Sequence, residues 1–243
     1  MKNLILFDID GTILRMKGGI SKTIFSQFMI KVFGKEINNV DIPSFHGMTD
    51  LQIIREIADN IKFPFAQIEH KLDDIWRDLG NNFARHCTRE NIELMPGIVE
   101  LLDILQKDES ICLGLLTGNI RANAYAKLNA YGLSRFFPVG AFGDDCYDRN
   151  ALPSIAFERA NNYYKGENFG SNNSMLIGDS SRDIECGKTN NITVIAVATG
   201  WSSHNELEAE KPDYVIDDFG NPDEVYNVIT NHFYEYEKNN NSN

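Results

Sequence analysis

The amino-acid sequence predicts an α/β fold, with a doubly wound, mostly parallel sheet and a helical unit inserted after its first strand. Three observations carry the prediction. Short, almost continuously apolar runs alternate with helical stretches through the C-terminal half, the pattern of strands covered on both faces. A further apolar run, Asn3–Phe7 (NLILF), stands near the start of the chain. Between roughly positions 16 and 91 the apolar residues recur at helical spacing, with no strong strand signal.

In chain order, Asn3–Phe7 ends in Asp8 and Asp10. SKTIFSQFMIKVFG, LQIIREIADNI and IEHKLDDIWRDLGNNFARH then read as helices, and Phe25, Phe28 and Phe33 are expected to line that unit's own core. The chain returns through Met95-Pro96-Gly97 to a helix, GIVELLDILQKD. Ile111–Leu116 is a strand ending in Thr117-Gly118-Asn119, followed by the helix IRANAYAKLNAYG. Phe137–Phe142 has strand character, and Ala151–Tyr164 is helical, with Pro153 in the first turn, where a missing N–H is harmless. Ser174–Ile177 is a strand leading into GDSSRD, and Ile184–Asn190 a short helix. Thr193–Ala198 and Tyr214–Ile216 are strands, and Asn221–Tyr236 is a closing helix. The result is a Rossmann-like core over 1–15 and 92–236, a helical insertion over 16–91, and a polar tail, EKNNNSN at 237–243, expected to be disordered. The 243 residues suffice for such a core plus a smaller inserted domain.

The formal net charge of -12 argues against general nucleic-acid binding, because phosphates are repelled. A small anionic ligand remains allowed where a metal, a basic side chain or helix N-termini supply local positive charge. No apolar run approaches a membrane span. The N-terminal apolar stretch runs directly into acids without a cleavage site, so it reads as a buried strand rather than a signal peptide. Cys87, Cys112, Cys146 and Cys186 are widely spaced and read as small thiols rather than a disulfide or zinc set. A cytoplasmic location fits these features.

Four places carry chemistry. In DIDGT, Asp8–Thr12, an apolar strand ends in two carboxylates two residues apart, with Gly11 free to turn behind them. Ligands bind outside the carboxyl ends of such strands. Two close acids need a shared proton or a cation, and magnesium suits hard oxygen donors; taken alone, they are also compatible with solvated aspartates. Thr117, Gly118 and Asn119 can hold phosphoryl oxygens through a hydroxyl and helix-starting N–H groups. Read by itself, the segment is an N-cap and turn. In GDSSRD, Asp179 suits a metal ligand, and Asp183 suits either an acid that orients the site or a first-turn acid facing a helix dipole. Arg149, just before a helix, is a source of balancing positive charge, although a lone Arg usually lies on the surface.

In this order, strand–DxDGT, strand–TG, a basic residue before a helix, and strand–GDxxxD resemble the four motifs of the haloacid dehalogenase superfamily. The helical insertion and the stretch GDDCYDRNALPSIAFERA resemble its phosphoglycolate phosphatase-like branch, in which the insertion is a cap domain. The resemblance implies that Asp8 is a nucleophile toward phosphorus, and that Asp10 protonates the leaving alcohol and then activates water. It implies that Thr117, with Gly118, Asn119 and Arg149, binds the phosphoryl group. It also implies Mg2+ held by the side chains of Asp8 and Asp179 and the backbone carbonyl of Asp10. Arg149 stands where the family often has Lys, and its planar fork differs from an ammonium.

The expected partner is a small phosphorylated metabolite, and the expected state a monomer or homodimer. A phosphomutase of the β-phosphoglucomutase type shares the motifs, and a non-catalytic binding protein keeping the fold is the reading from a different class. From the cap, His46, Thr49 and Asp50 are candidate substrate contacts, with Thr49 or Asp50 equally readable as an N-cap. Trp201 either flanks the pocket or is a partly buried surface aromatic. Linkers near Arg15–Gly19 and Asn91–Gly97, with Gly18, Gly19 and Gly97, are expected to form a cap hinge.

Overall fold

The computed structural model describes residues 2–37 and 46–241. Its main sheet has six strands in the order β5-β4-β1-β6-β7-β8, every neighbouring pair parallel. These are β1 (Asn3–Phe7), β4 (Ile111–Leu116), β5 (Val139–Ala141), β6 (Ser174–Gly178), β7 (Thr193–Val197) and β8 (Tyr214–Ile216). The apolar runs are explained by burial on both faces. Ile5 and Phe7 join one cluster with residues of helices α5 (Ile98–Leu105), α6 (Arg121–Asn129) and α10 (Pro222–Asn241). Leu4 and Leu6 point the other way, into a cluster with α7 (Leu152–Tyr163), α8 (Ser181–Asn190) and α9 (His204–Ala209). The pleat alone separates these two sets.

The chain builds outward from β1 through β4 to β5, then crosses to β6 on the other side of β1. That reversal opens a crevice at the carboxyl ends of β1, β4 and β6, where a doubly wound sheet binds ligands. Asp8, Thr117 and Asp179 each directly follow one of these strands.

The insertion contains α1 (Ile20–Phe33), α2 (Asp50–Asn60), α3 (Ala66–Glu69) and α4 (Leu72–Ala84). Its core includes Phe25, Phe28, Phe33, Ile54 and Leu79, as the helical spacing predicts. The stretch IEHKLDDIWRDLGNNFARH breaks between α3 and α4 at His70 and Lys71 rather than forming one helix. The insertion is entered and left through a ribbon the sequence does not announce, in which β2 (Leu14–Met16) pairs antiparallel with β3 (Ile92–Leu94). Within the expected hinge, Gly18 and Gly19 hold φ of 61° and 69° with open space where a Cβ would stand. Gly97 differs: a Cβ there would lie 1.7 Å from the Phe219 carbonyl oxygen, so this glycine is wedged against the core.

The closing helix runs to Asn241, so residues 237–241 continue α10 instead of forming the expected disordered tail; 242 and 243 lie outside the described residues. Cys112 and Cys186 are buried free thiols. Among the described residues, no helix is long and apolar enough to cross a membrane.

Candidate active site

Asp8 emerges where β1 ends, and its amide still donates to the Ile177 carbonyl at 2.9 Å, tying it to β6. The chain then turns tightly. Gly11, at φ +90°, donates to the Leu14 carbonyl, and a Cβ at position 11 would lie 2.4 Å from Asp179 Oδ2. A Cβ on Gly200 would lie 1.6 Å from the same oxygen. Two glycines from separate loops thus make the space that Asp179 fills, and the Thr12 hydroxyl donates to its Oδ1 at 3.4 Å.

Asp8, Asp179 and Asp183 are all buried, and each presents a carboxylate oxygen within 4.8 Å of the others. Arg149 supplies the compensating charge. Its Nη2 lies 3.5 Å from Asp8 Oδ1, donates to Asp183 Oδ1, and reaches the Leu116 carbonyl at 3.4 Å. Asp183 Oδ2 in turn accepts from the Ser180 hydroxyl and amide at 2.6 and 3.1 Å, the capping box that starts α8. Asp183 is therefore a first-turn helix acid that is also ion-paired to Arg149.

One guanidinium does not balance three buried acids. Burial pushes the Asp8 carboxyl up to about 7, with Arg149 opposing and Asp183 and Asp10 adding to the rise. Burial, then Asp183 and Asp8, raise Asp179 well above the carboxylate range. Burial would pull Arg149 down, but Asp183 and Asp8 hold it above the ordinary arginine value. With Arg149 shared between Asp183 and Asp8, the three acids keep an excess of negative charge, and Asp179 makes no ion pair among the described residues. A hard divalent cation fits this all-oxygen donor set.

The second half of the site surrounds Asp10. Asn119 Nδ2 donates to Asp10 Oδ2 at 2.7 Å and to the buried Thr117 hydroxyl at 2.9 Å. Lys127 Nζ donates to Asp10 Oδ1 and Oδ2 at 2.8 and 2.6 Å and to Asn119 Oδ1 at 2.6 Å. Sequence reasoning misses Lys127. The available signal is its register: Ile120, Ala124 and Leu128 are buried at helical spacing, and Lys127 falls on that apolar stripe.

The cap sits down on this region. The Asp50 amide donates to the Gly118 carbonyl at 2.8 Å, and Asp50 Oδ2 accepts from the Ile120 amide at 2.8 Å. Burial pushes the Asp50 carboxyl up to about 7, against the lowering by the Ile120 amide and Lys127. Thr49 is the N-cap of α2, accepting from the Gln52 amide, and its hydroxyl donates to the Tyr147 carbonyl at 2.8 Å. The Gly47 carbonyl accepts from Arg149 Nη1 at 3.2 Å. His46 stacks on Trp201 with ring centroids 4.7 Å apart. Trp201 is 77% exposed, so it is a solvent-facing aromatic rather than a partly buried one. Thr49 and Asp50 are thus occupied in docking the cap, while His46 marks the edge of the seam.

The family description "Haloacid dehalogenase-like hydrolase" matches residues 5–197. The chain belongs to that family. It is 25% identical over 221 residues to a pyrophosphatase PpaX from Oceanobacillus iheyensis, covering 88% of this chain and 92% of that protein. It is 28% identical over 227 residues to a phosphoglycolate phosphatase from Synechococcus elongatus, covering 93% and 96%. Its fold is similar to a beta-phosphoglucomutase from Clostridium difficile, with TM-score 0.71 at 21% identity over 97% of this chain and 99% of that one. The family match spans β1 to β7 and so includes DIDGT, TGN, Arg149 and GDSSRD.

Proposed function

We propose that this chain is a magnesium-dependent phosphatase that hydrolyses a small phosphate monoester through a phosphoryl group carried on Asp8. The observation that carries the reading is the pairing of Asp8 with Asp179, two buried acids close enough to share a cation, beside a single guanidinium, Arg149, that is divided between Asp8 and Asp183 and leaves their charge in excess. The site residues fit the ion by donor chemistry: the side chains of Asp8 and Asp179, with the Asp10 backbone carbonyl, would hold it. Bound there, it would offset the negative charge of carboxylate and phosphate ester, which otherwise repel each other.

In this scheme an Asp8 oxygen attacks phosphorus as the ester oxygen departs, and Asp10 gives that oxygen its proton. Asp10, now a carboxylate, removes a proton from water. The resulting hydroxide attacks phosphorus, releasing inorganic phosphate and regenerating Asp8. Thr117, Gly118, Asn119 and Arg149 would orient and neutralise the phosphoryl oxygens, with Asp183 keeping Arg149 in place. The docked cap excludes water during the first transfer. The relatives named phosphoglycolate phosphatase and pyrophosphatase support a small phosphorylated substrate. We place the reaction in the cytoplasm, carried out by a monomer or homodimer.

The test is phosphate release from a panel of phosphorylated metabolites with and without Mg2+, with phosphoglycolate and pyrophosphate first. Turnover that needs Mg2+ and vanishes in Asp8→Asn is expected. A wild-type chain inactive on the whole panel, or an active D8N, overturns the reading. Formation of an isomeric sugar phosphate instead of free phosphate would establish a mutase.

A further inference from the structure

Lys127 is almost wholly buried, 2% exposed, on the apolar stripe of α6. Lysines are seldom buried unless paired, because ordering one costs side-chain entropy and its charge must be compensated. An apolar residue would fit that stripe with less penalty. The cap helix α4 lies over it: the Phe83 ring centroid is 5.7 Å from Nζ, and a Cβ on Gly80 would lie 2.6 Å from the Ala122 Cβ. All three ammonium hydrogens have protein acceptors, namely both Asp10 oxygens and Asn119 Oδ1. Asn119 returns a bond to Asp10 Oδ2, closing a ring of three side chains. The two ends of this pair differ in exposure: the Lys127 side chain is 3% exposed and the Asp10 side chain 40%. The ammonium therefore grips the carboxylate from behind and leaves its other side open to the crevice.

We infer that Lys127, aided by Asn119, is the positioning residue that aims Asp10 at the leaving-group oxygen. With no donor left over, Lys127 does not itself bind substrate. The inference rests on the reading that Asp10 transfers the leaving-group proton. Because Asp10 is partly open to water, loss of Lys127 leaves no wholly buried orphan charge.

The experiment compares two leaving groups in Lys127→Met. The phenolate of p-nitrophenyl phosphate departs without a proton, whereas the alkoxide of phosphoglycolate, or of whichever alkyl phosphate the panel ranks fastest, requires one. With the alkyl ester, alcohol release should fall about 100-fold or more, within the range for loss of general acid–base catalysis. With p-nitrophenyl phosphate, the first equivalent of phenolate should still appear as a fast burst. Slow turnover should follow, because the second half-reaction also uses Asp10. Lys127→Arg should recover most of the alkyl-ester rate. Should K127M not fold, Lys127→Gln, which keeps amide donors there, carries the same expectation. Equal losses in release of the first equivalent of alcohol and of phenolate, or an alkyl-ester rate like wild type, would overturn the inference while leaving the phosphatase reading intact. A wild type inactive on both esters and on the panel defeats that reading first.

Discussion

Arg149 is ion-paired to Asp183 in the interior of the protein, with 5% and 0% of the two side chains exposed. Removing one member of a buried pair leaves the other charge stranded, which costs roughly 3–5 kcal/mol. Arg149→Ala should lose about that much stability in urea denaturation. Arg149→Lys should lose less, because positive charge remains near Asp183. A single ammonium cannot also reach Asp8, the Leu116 carbonyl and the Gly47 carbonyl as the planar fork does. R149K should therefore fold yet turn over at least about tenfold more slowly, the equivalent of 1.4 kcal/mol in the barrier. Near-wild-type turnover in R149K would mean that the fork geometry does not matter.

Gly118 is where cap and core backbones meet. A Cβ there would lie 1.9 Å from the Met48 carbonyl oxygen and 3.3 Å from the Thr49 amide. Both contacts are backbone and belong to the cap, so Gly118→Ala should push the cap off without disturbing the sheet. Thermal unfolding should change little, while kcat/KM falls by about 100-fold, the scale expected when reacting groups are misplaced by an ångström. A G118A enzyme as active as wild type would mean that the reaction proceeds without this docked arrangement.

What the sequence reveals here, and what it hides, follows from how far each feature depends on distant parts of the chain. β1, β4, β6 and β7 are legible because burial on both faces forces an unbroken apolar run, and the acids that end β1 and β6 stand at the crevice edge by topology. β2 and β3 are only three residues each, with one buried side chain apiece, too short for a period to register. The extension of α10 to Asn241 passes through polar residues with no apolar face to mark it. The role of Lys127 depends on Asp10, 117 residues away. Part of the cap docking is main-chain contact at Met48, Gly118 and Gly143, which residue types do not display.

Asp50 gives the cap contact a pH dependence of definite sign. Docked, its carboxyl is pushed up to about 7, mainly by burial, with Lys127, Asp10 and Asp144 as its charged neighbours. Undocked and hydrated, it titrates near the ordinary carboxylate value of about 3.9. The docked form therefore holds the proton more tightly, so docking weakens as pH rises from about 4 to 7 and stays weak above that. Asp50→Asn keeps an oxygen acceptor for the Ile120 amide without the charge. At pH 8, limited proteolysis of the linker at 15–19 should be slower in D50N than in wild type. Asp50→Ala, which strands that amide, should be cut faster; equal rates in all three would remove Asp50 from cap control.

The same sign rule applies to Asp8 and Asp179 when no metal is bound. Both have raised folded-state values, Asp8 at about 7, whereas unfolding returns them to ordinary carboxylates. The folded protein then binds more protons than the unfolded one between about pH 4 and 7, so metal-free stability should decline across that window. A divalent cation replaces those protons as the counter-ion, and it does so best where the acids are already ionised. Saturating Mg2+ should thus raise the melting temperature more at pH 8 than at pH 5, with about 2.7 kcal/mol gained at one hundred times its dissociation constant. In Asp8→Asn one of the two buried charges is gone. Its metal-free melting temperature at pH 8 should exceed that of wild type, and its response to Mg2+ should shrink. A melting temperature indifferent to Mg2+ at pH 8 in the wild-type chain would show that these acids do not share a cation.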